Sequence, residues 1–137
     1  MRLATAAFLY WLVVFAVGFV LGTIRVLGLV PMLGEEIAVL IEGPFILAAC
    51  GITSWWIVRR FAIASYADSL VVGLLAFVLL MIAELTLAVT GFDMTPAEWF
   101  AALWVPPGSW GLLGQVLFAL LPFIMVVLMR RTPTKGL

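Results

Sequence analysis

Four long apolar segments constrain this chain more than any other feature of its sequence. They cover about 4–30, 35–58, 63–90 and 110–129, and each is close to or above the ~20 residues that a helix needs to cross ~30 Å of hydrocarbon. Only 10% of the residues are charged and 66% are hydrophobic, whereas a soluble domain carries about 25% charge. We therefore predict an all-α integral membrane protein: a single domain over residues 1–137, built as a bundle of four transmembrane helices.

The basic residues predict how the four helices are oriented. If successive helices alternate in direction, all but one of the seven Lys and Arg residues fall on one side of the membrane: Arg2, Arg59, Arg60, Arg130, Arg131 and Lys135. Arg25 alone lies toward the other side, which we call the outer side. The positive-inside rule then puts both termini in the cytoplasm, and we expect the membrane to be a bacterial inner membrane.

Several classes of function are disfavoured by what the chain lacks. It has no histidine and a single cysteine, Cys50, inside an apolar segment. This excludes His-ligated haem, a His-based metal site, a Ser-His-Asp triad and an intrachain disulfide. The seven acidic residues balance the seven basic ones, which removes the electrostatic basis for nucleic-acid binding. We expect no catalytic site, no metal and no cofactor.

The connection between the third and fourth spans, residues 91–109, is the one long segment outside the spans. Thr95, Pro96 and Glu98 have the pattern of a capping box with proline at the first helical position. A short helix is predicted to follow as far as Trp104 and to stop at Pro106-Pro107-Gly108, lying on the outer membrane surface. Trp99, Trp104 and Trp110 suit that interface. They would act either as an aromatic anchor or as a lid over a substrate site.

One strongly polar side chain is predicted at the same depth in each span. Arg25, Glu42, Glu84 and Gln115 lie five to seven residues from the outer ends of their helices, or roughly 8–10 Å below those ends. Polar groups at such depth usually face a bundle interior and find partners there. We predict that these four residues form one polar layer, and that Glu35 and Glu36 form an acidic mouth above it.

Glycines and prolines predict how the helices pack around that layer. Gly18 and Gly22 share a stripe with Arg25, and the Gly-xxx-Gly spacing allows a neighbouring backbone to approach closely, within this chain or between chains. Pro122 has no N–H and frees the carbonyl of Phe118 one turn earlier. A free carbonyl at this depth is tolerated when another group bonds it.

Two interpretations of the polar layer stay open at this point. In the first, the layer handles protons, a small polar ligand or a lipid head group: one carboxylate pairs with Arg25, and the other exchanges a proton. In the second, the chain is a non-catalytic accessory subunit, and the layer and the Trp-rich loop dock another membrane protein. The expected partners are the lipid bilayer and either a second copy of the chain or a larger membrane protein.

Overall fold

The computed structural model describes residues 1–131, and within them every regular element is helical. The elements in order are α1 (Arg2–Ile24), a π-helical turn (Arg25–Leu29), α2 (Val30–Leu33), α3 (Glu35–Arg60), α4 (Tyr66–Gly91), α5 (Pro96–Ala102) and α6 (Gly108–Arg131). The first three follow one another without a break and form one helical stretch, Arg2–Leu33.

Four helical stretches are long and apolar enough to cross a membrane: Arg2–Leu33, Glu35–Arg60, Tyr66–Gly91 and Gly108–Arg131. They run alternately up and down, so that α1 and α6 each pack against both α3 and α4. The predicted all-helical class with four candidate spans is confirmed. By their length and composition, these four candidate spans indicate an integral membrane protein.

The first span extends to Leu33, three residues beyond the predicted end, and continues through Pro31. The backbone widens into a π-helical turn, in which the N–H of Val30 bonds the carbonyl of Arg25, and Pro31 occupies the first turn of α2. Proline is tolerated in a first turn, where its missing N–H costs nothing. The chain reverses instead at Gly34, whose φ of 85° favours glycine.

The third span starts later than predicted, at Tyr66, because residues 61–65 form the end of α3 and a cap for α4. The N–H of Ile63 bonds the carbonyl of Val58, and that of Ala62 bonds the carbonyl of Arg59, which is a Schellman ending. Ser65 then caps α4 by accepting from the N–H of Asp68. The capping box of α5 is confirmed at Thr95 and Glu98.

The two ends of the bundle are packed very differently. We call residues 2–14, 50–80 and 118–131 the terminal half, because it carries Arg2 and Arg131, and residues 15–49 and 81–117 the loop half. The buried residues concentrate in the terminal half, including Tyr10, Ser54, Ile57, Val72 and Phe118. Among the described residues of the loop half, Ala38 and Ala88 alone are buried.

Candidate functional site

Arg25 and Glu42 form an ion pair between the first and second spans. The guanidinium Nε donates to the carboxylate Oε2 of Glu42. The side chain of Arg25 is 28% exposed and that of Glu42 is 16% exposed, so both charges are largely removed from the surface. Each charge is therefore compensated by the other where the helices meet.

The π-helical turn begins at Arg25, the one arginine in the middle of a span. Such single turns are rare inside helices and frequently occur at functional sites. Here the turn has a local cause, since the ring of Pro31 would clash with a carbonyl in a regular α-helix. Gly22 lies one turn earlier, and a methyl group there would meet Nη2 of the guanidinium at an ordinary 3.7 Å.

Glu84 and Gln115 form a second pair, between the third and fourth spans. The amide Nε2 of Gln115 donates to Oε2 of Glu84 at 2.5 Å. The other amide atom, Oε1 of Gln115, is buried and has no hydrogen-bond partner. Buried polar atoms almost always have a partner, so this carbonyl oxygen is an acceptor that lacks a donor.

The four residues predicted to form one layer are thus found as two pairs. Among residues 1–131, no hydrogen bond and no ion pair within 4.0 Å joins Arg25 or Glu42 to Glu84 or Gln115. Glu84 has a neutral amide as its partner, whereas Glu42 has a cation. The two carboxyls are therefore in chemically different settings.

The predicted acidic mouth lies at the exposed start of α3. Glu35 and Glu36 are both exposed in its first turn, where a negative charge favours the helix dipole. Oε1 of Glu36 accepts from the indole Nε1 of Trp110 at 3.4 Å, linking the starts of α3 and α6. Within residues 1–131, no three His, Cys, Asp or Glu side chains come together as metal ligands.

The other two predicted tryptophans lie on or just after α5. Trp99 is partly buried on the helix, and Trp104 is 63% exposed just beyond its end, with its ring centre 5.9 Å from that of Phe100 in an edge-to-face arrangement. The helix ends at Ala102, two residues before the predicted end. Its place at the membrane surface, as anchor or as lid, stays a prediction.

Gly18 and Gly22 are partly exposed in the structure. A methyl group at Gly18 would meet Ile46 at an ordinary 3.5 Å. Among the described glycines, the closest approach to a neighbouring backbone is at Gly73 instead, where an added Cβ would overlap the carbonyl oxygen of Ala119. A role for the Gly18–Gly22 pair between chains stays a prediction.

Tyr10 is the residue that the sequence analysis missed. Its hydroxyl donates to the carbonyl of Phe118 at 2.6 Å, and its ring stacks on that of Phe118 at 4.4 Å. This is the carbonyl that Pro122 leaves without an N–H, as predicted. The sequence did contain a clue to this contact: Tyr10 is the one tyrosine of an apolar helix, and a buried tyrosine hydroxyl usually finds a hydrogen-bond partner.

Comparison of the chain with protein-family models, with curated proteins and with solved structures gave no match.

Proposed function

We propose that this protein binds and releases a proton at Glu84 as part of proton-linked transport of a small polar solute across a bacterial inner membrane. Arg25 and Glu42 serve as a fixed charge pair in this proposal, and Glu84 with Gln115 is the exchanging site. The observation that carries it is the unpartnered Oε1 of Gln115 beside the Glu84 carboxyl.

Hydrogen-bond accounting favours a proton on Glu84. An ionised carboxylate offers acceptors only, whereas a protonated carboxyl also carries one O–H donor. With that donor, the acid and the amide can form two parallel hydrogen bonds, one in each direction. The carbonyl of Gln115 then gains the partner that it lacks. Loss of the proton leaves the carbonyl unpaired again, which makes the pair sensitive to proton binding.

Charge accounting points the same way. Among residues 1–131, the ion pairs within 4.0 Å are Arg2 with Asp68 and Arg25 with Glu42. Glu84 therefore has no cation beside it, and an uncompensated charge inside a membrane is costly. Glu42 is already compensated, so we assign the exchanging role to Glu84.

The depth of Glu84 supports exchange with the outer side. It lies roughly 27 Å along α4 from Tyr66, at about 1.5 Å per residue. In a hydrocarbon layer of ~30 Å that starts near Tyr66, the carboxyl is close to the outer boundary. The loosely packed loop half surrounds it, and with both termini cytoplasmic that boundary faces the periplasm.

Infrared spectroscopy of the protein in liposomes tests the proton directly. The carbonyl stretch of a protonated carboxyl should rise and fall as pH changes, and Glu84→Gln should abolish that signal. Glu42→Gln is the matched control, because it removes the other membrane-embedded carboxyl and should leave the signal in place. Proton flux in the same liposomes should also be lost in Glu84→Gln alone. A signal that survives in Glu84→Gln would refute the proposal.

A second candidate function is that of an accessory subunit, and the exposed part of the first span in the loop half favours it. Phe19, Val20, Ile24 and Leu27 are each about half exposed or more, leaving a long apolar surface for lipid or for a partner helix. Native mass spectrometry after mild detergent extraction separates the two functions. A larger protein at fixed stoichiometry favours the subunit, whereas a bare monomer or homodimer favours the transporter.

A further inference from the structure

A recess of ≈ 370 Å³ opens at the terminal end of the bundle, on the opposite side from the polar pairs. It lies between the end of α3, the turn that follows and the end of α6. Its lining includes Val58, Ile63, Val126 and Met129 with two arginines, Arg59 and Arg130. We infer that this recess binds an anionic phospholipid, with the phosphate held by the two arginines and part of an acyl chain on the apolar floor.

The Schellman ending of α3 shapes the recess. It turns the chain back so that Ile63 packs beside Val58, and both are about 3% exposed. Ala62 adopts a left-handed φ of 50° to allow this turn. Val126 of α6 is also buried, so the floor is formed by well-packed groups. The volume lies within the ~300–1,000 Å³ of typical ligand sites.

Aromatic rings hold both arginines in place. The guanidinium carbon of Arg59 lies 5.0 Å from the ring centre of Trp55, and that of Arg130 lies 4.5 Å from that of Tyr66. Stacking of this kind orients the planar guanidinium and leaves its N–H groups at the edge. An Arg whose position is already restricted loses less entropy when it binds a phosphate.

In the part of the chain that the structure describes, the positive charges of these two arginines are also not neutralised by a neighbouring carboxylate. The sole ion pair at this end among residues 1–131 is that of Arg2 with Asp68, and Arg59 and Arg130 have no carboxylate within 4.0 Å in the same part of the chain. Arg pairs well with phosphate, often through two parallel hydrogen bonds. A basic pocket between transmembrane helices at the cytoplasmic surface is suited to an anionic head group.

The apolar floor selects a lipid over a free phosphate ion. Beside the two guanidinium groups, the recess presents mainly aliphatic side chains, which offer nothing to a hydrated ion. A phospholipid satisfies both parts at once, because its phosphate and its chain are joined. The location at helix ends also matches the level at which head groups lie.

Native mass spectrometry from nanodiscs tests this inference. The discs contain phosphatidylglycerol and phosphatidylcholine in equal amounts, and retained lipid is counted on wild type and on Arg59→Gln/Arg130→Gln. Arg60→Gln/Arg131→Gln is the matched control, since it removes the same charge from neighbouring positions that do not line the recess. We expect wild type to retain phosphatidylglycerol, and the recess variant to lose it by roughly tenfold or more.

Three outcomes would overturn the inference. Equal loss in the recess and control variants would mean that the effect is general surface charge. Equal retention of phosphatidylcholine by wild type would mean that the recess does not select charge. No loss in the recess variant would place the retained lipid elsewhere. Met129→Trp fills the recess without changing its charge and should also lower the retention of phosphatidylglycerol. Unchanged retention in this variant would refute the proposed binding of an acyl chain in the recess. None of these results depends on Glu84.

Discussion

The terminal half and the loop half are built from the same four apolar helices, yet the buried residues concentrate in the terminal half. In the terminal half, small residues let the helices touch, and Gly73 lies directly against the backbone of Ala119. In the loop half, the side-chain hydrogen bonds between the described helices are those of Arg25 with Glu42, Glu84 with Gln115, and Trp110 with Glu36. Packing therefore stabilises one half, whereas the other is held by a few polar bonds, which contribute only about 0.6 kcal/mol each in membranes.

The largest expected loss of stability comes from adding a methyl group at a close helix contact in the terminal half. Gly73→Ala forces a Cβ into the carbonyl oxygen of Ala119, so α4 and α6 must separate, at a cost of about 3 kcal/mol or more. Thermal unfolding in detergent would measure it. Gly114→Ala is the control in the loop half, where a methyl group meets nothing within 4 Å; it should stabilise α6 by up to about 1 kcal/mol. Equal effects at both sites would abolish the contrast.

The next largest effect is expected in the terminal half, at the hydrogen bond from Tyr10 to the carbonyl of Phe118, which Pro122 leaves without a backbone N–H donor. Tyr10→Phe removes the donor to the Phe118 carbonyl, which then stays unpaired in the interior, so we expect a loss of about 1–2 kcal/mol. Tyr66→Phe serves as the control, because Tyr66 is exposed and keeps its ring for Arg130. Urea or SDS titration of both variants would compare them. A Tyr10→Phe protein as stable as wild type would show that another group satisfies this carbonyl.

A smaller effect is expected from breaking the ion pair of the loop half. Arg25→Gln leaves Glu42 without a cation. The two side chains keep 28% and 16% of their surface exposed, so we expect a loss of about 1 kcal/mol, near the value for exposed pairs and below that for fully buried ones. Neutralising both, in Arg25→Gln/Glu42→Gln, should restore most of it. The same urea or SDS titration would measure the free energy of unfolding of both variants. If the double variant were less stable than the single one, the pair would not act by charge compensation.

The smallest effect is predicted for the turn after α3. Ala62 has a positive φ, which costs a non-glycine residue about 1–2 kcal/mol, while glycine loses about 0.5–1 kcal/mol more entropy on folding. Ala62→Gly should therefore stabilise the terminal half by about 0.5 kcal/mol. Ala64→Gly is the comparison in the same loop, where no positive φ is relieved. A destabilised Ala62→Gly protein would contradict the observed turn geometry.

Local rules were sufficient for much of the fold. Length and apolarity predicted four spans, and the pattern at Thr95 and Glu98 predicted a capped helix, because these features depend on neighbours in the chain. The predicted helix ends were less accurate where the chain departs from the usual roles of proline and glycine at helix ends. Pro31 continues a helix through a π-helical turn, and Ala62 takes the place that glycine usually holds in a Schellman ending.

The amino-acid sequence alone determined that this chain is helical, apolar enough for a membrane, and equipped with an arginine, two glutamates and a glutamine inside its spans. The sequence also predicted that the backbone carbonyl of Phe118 lacks its helical N–H donor, because Pro122 follows one turn later. Which side chains meet was settled by helix packing, since contacts between residues far apart in sequence depend on how four helices rotate about their axes. That rotation pairs Arg25 with Glu42 and Glu84 with Gln115, and brings Tyr10 to Phe118.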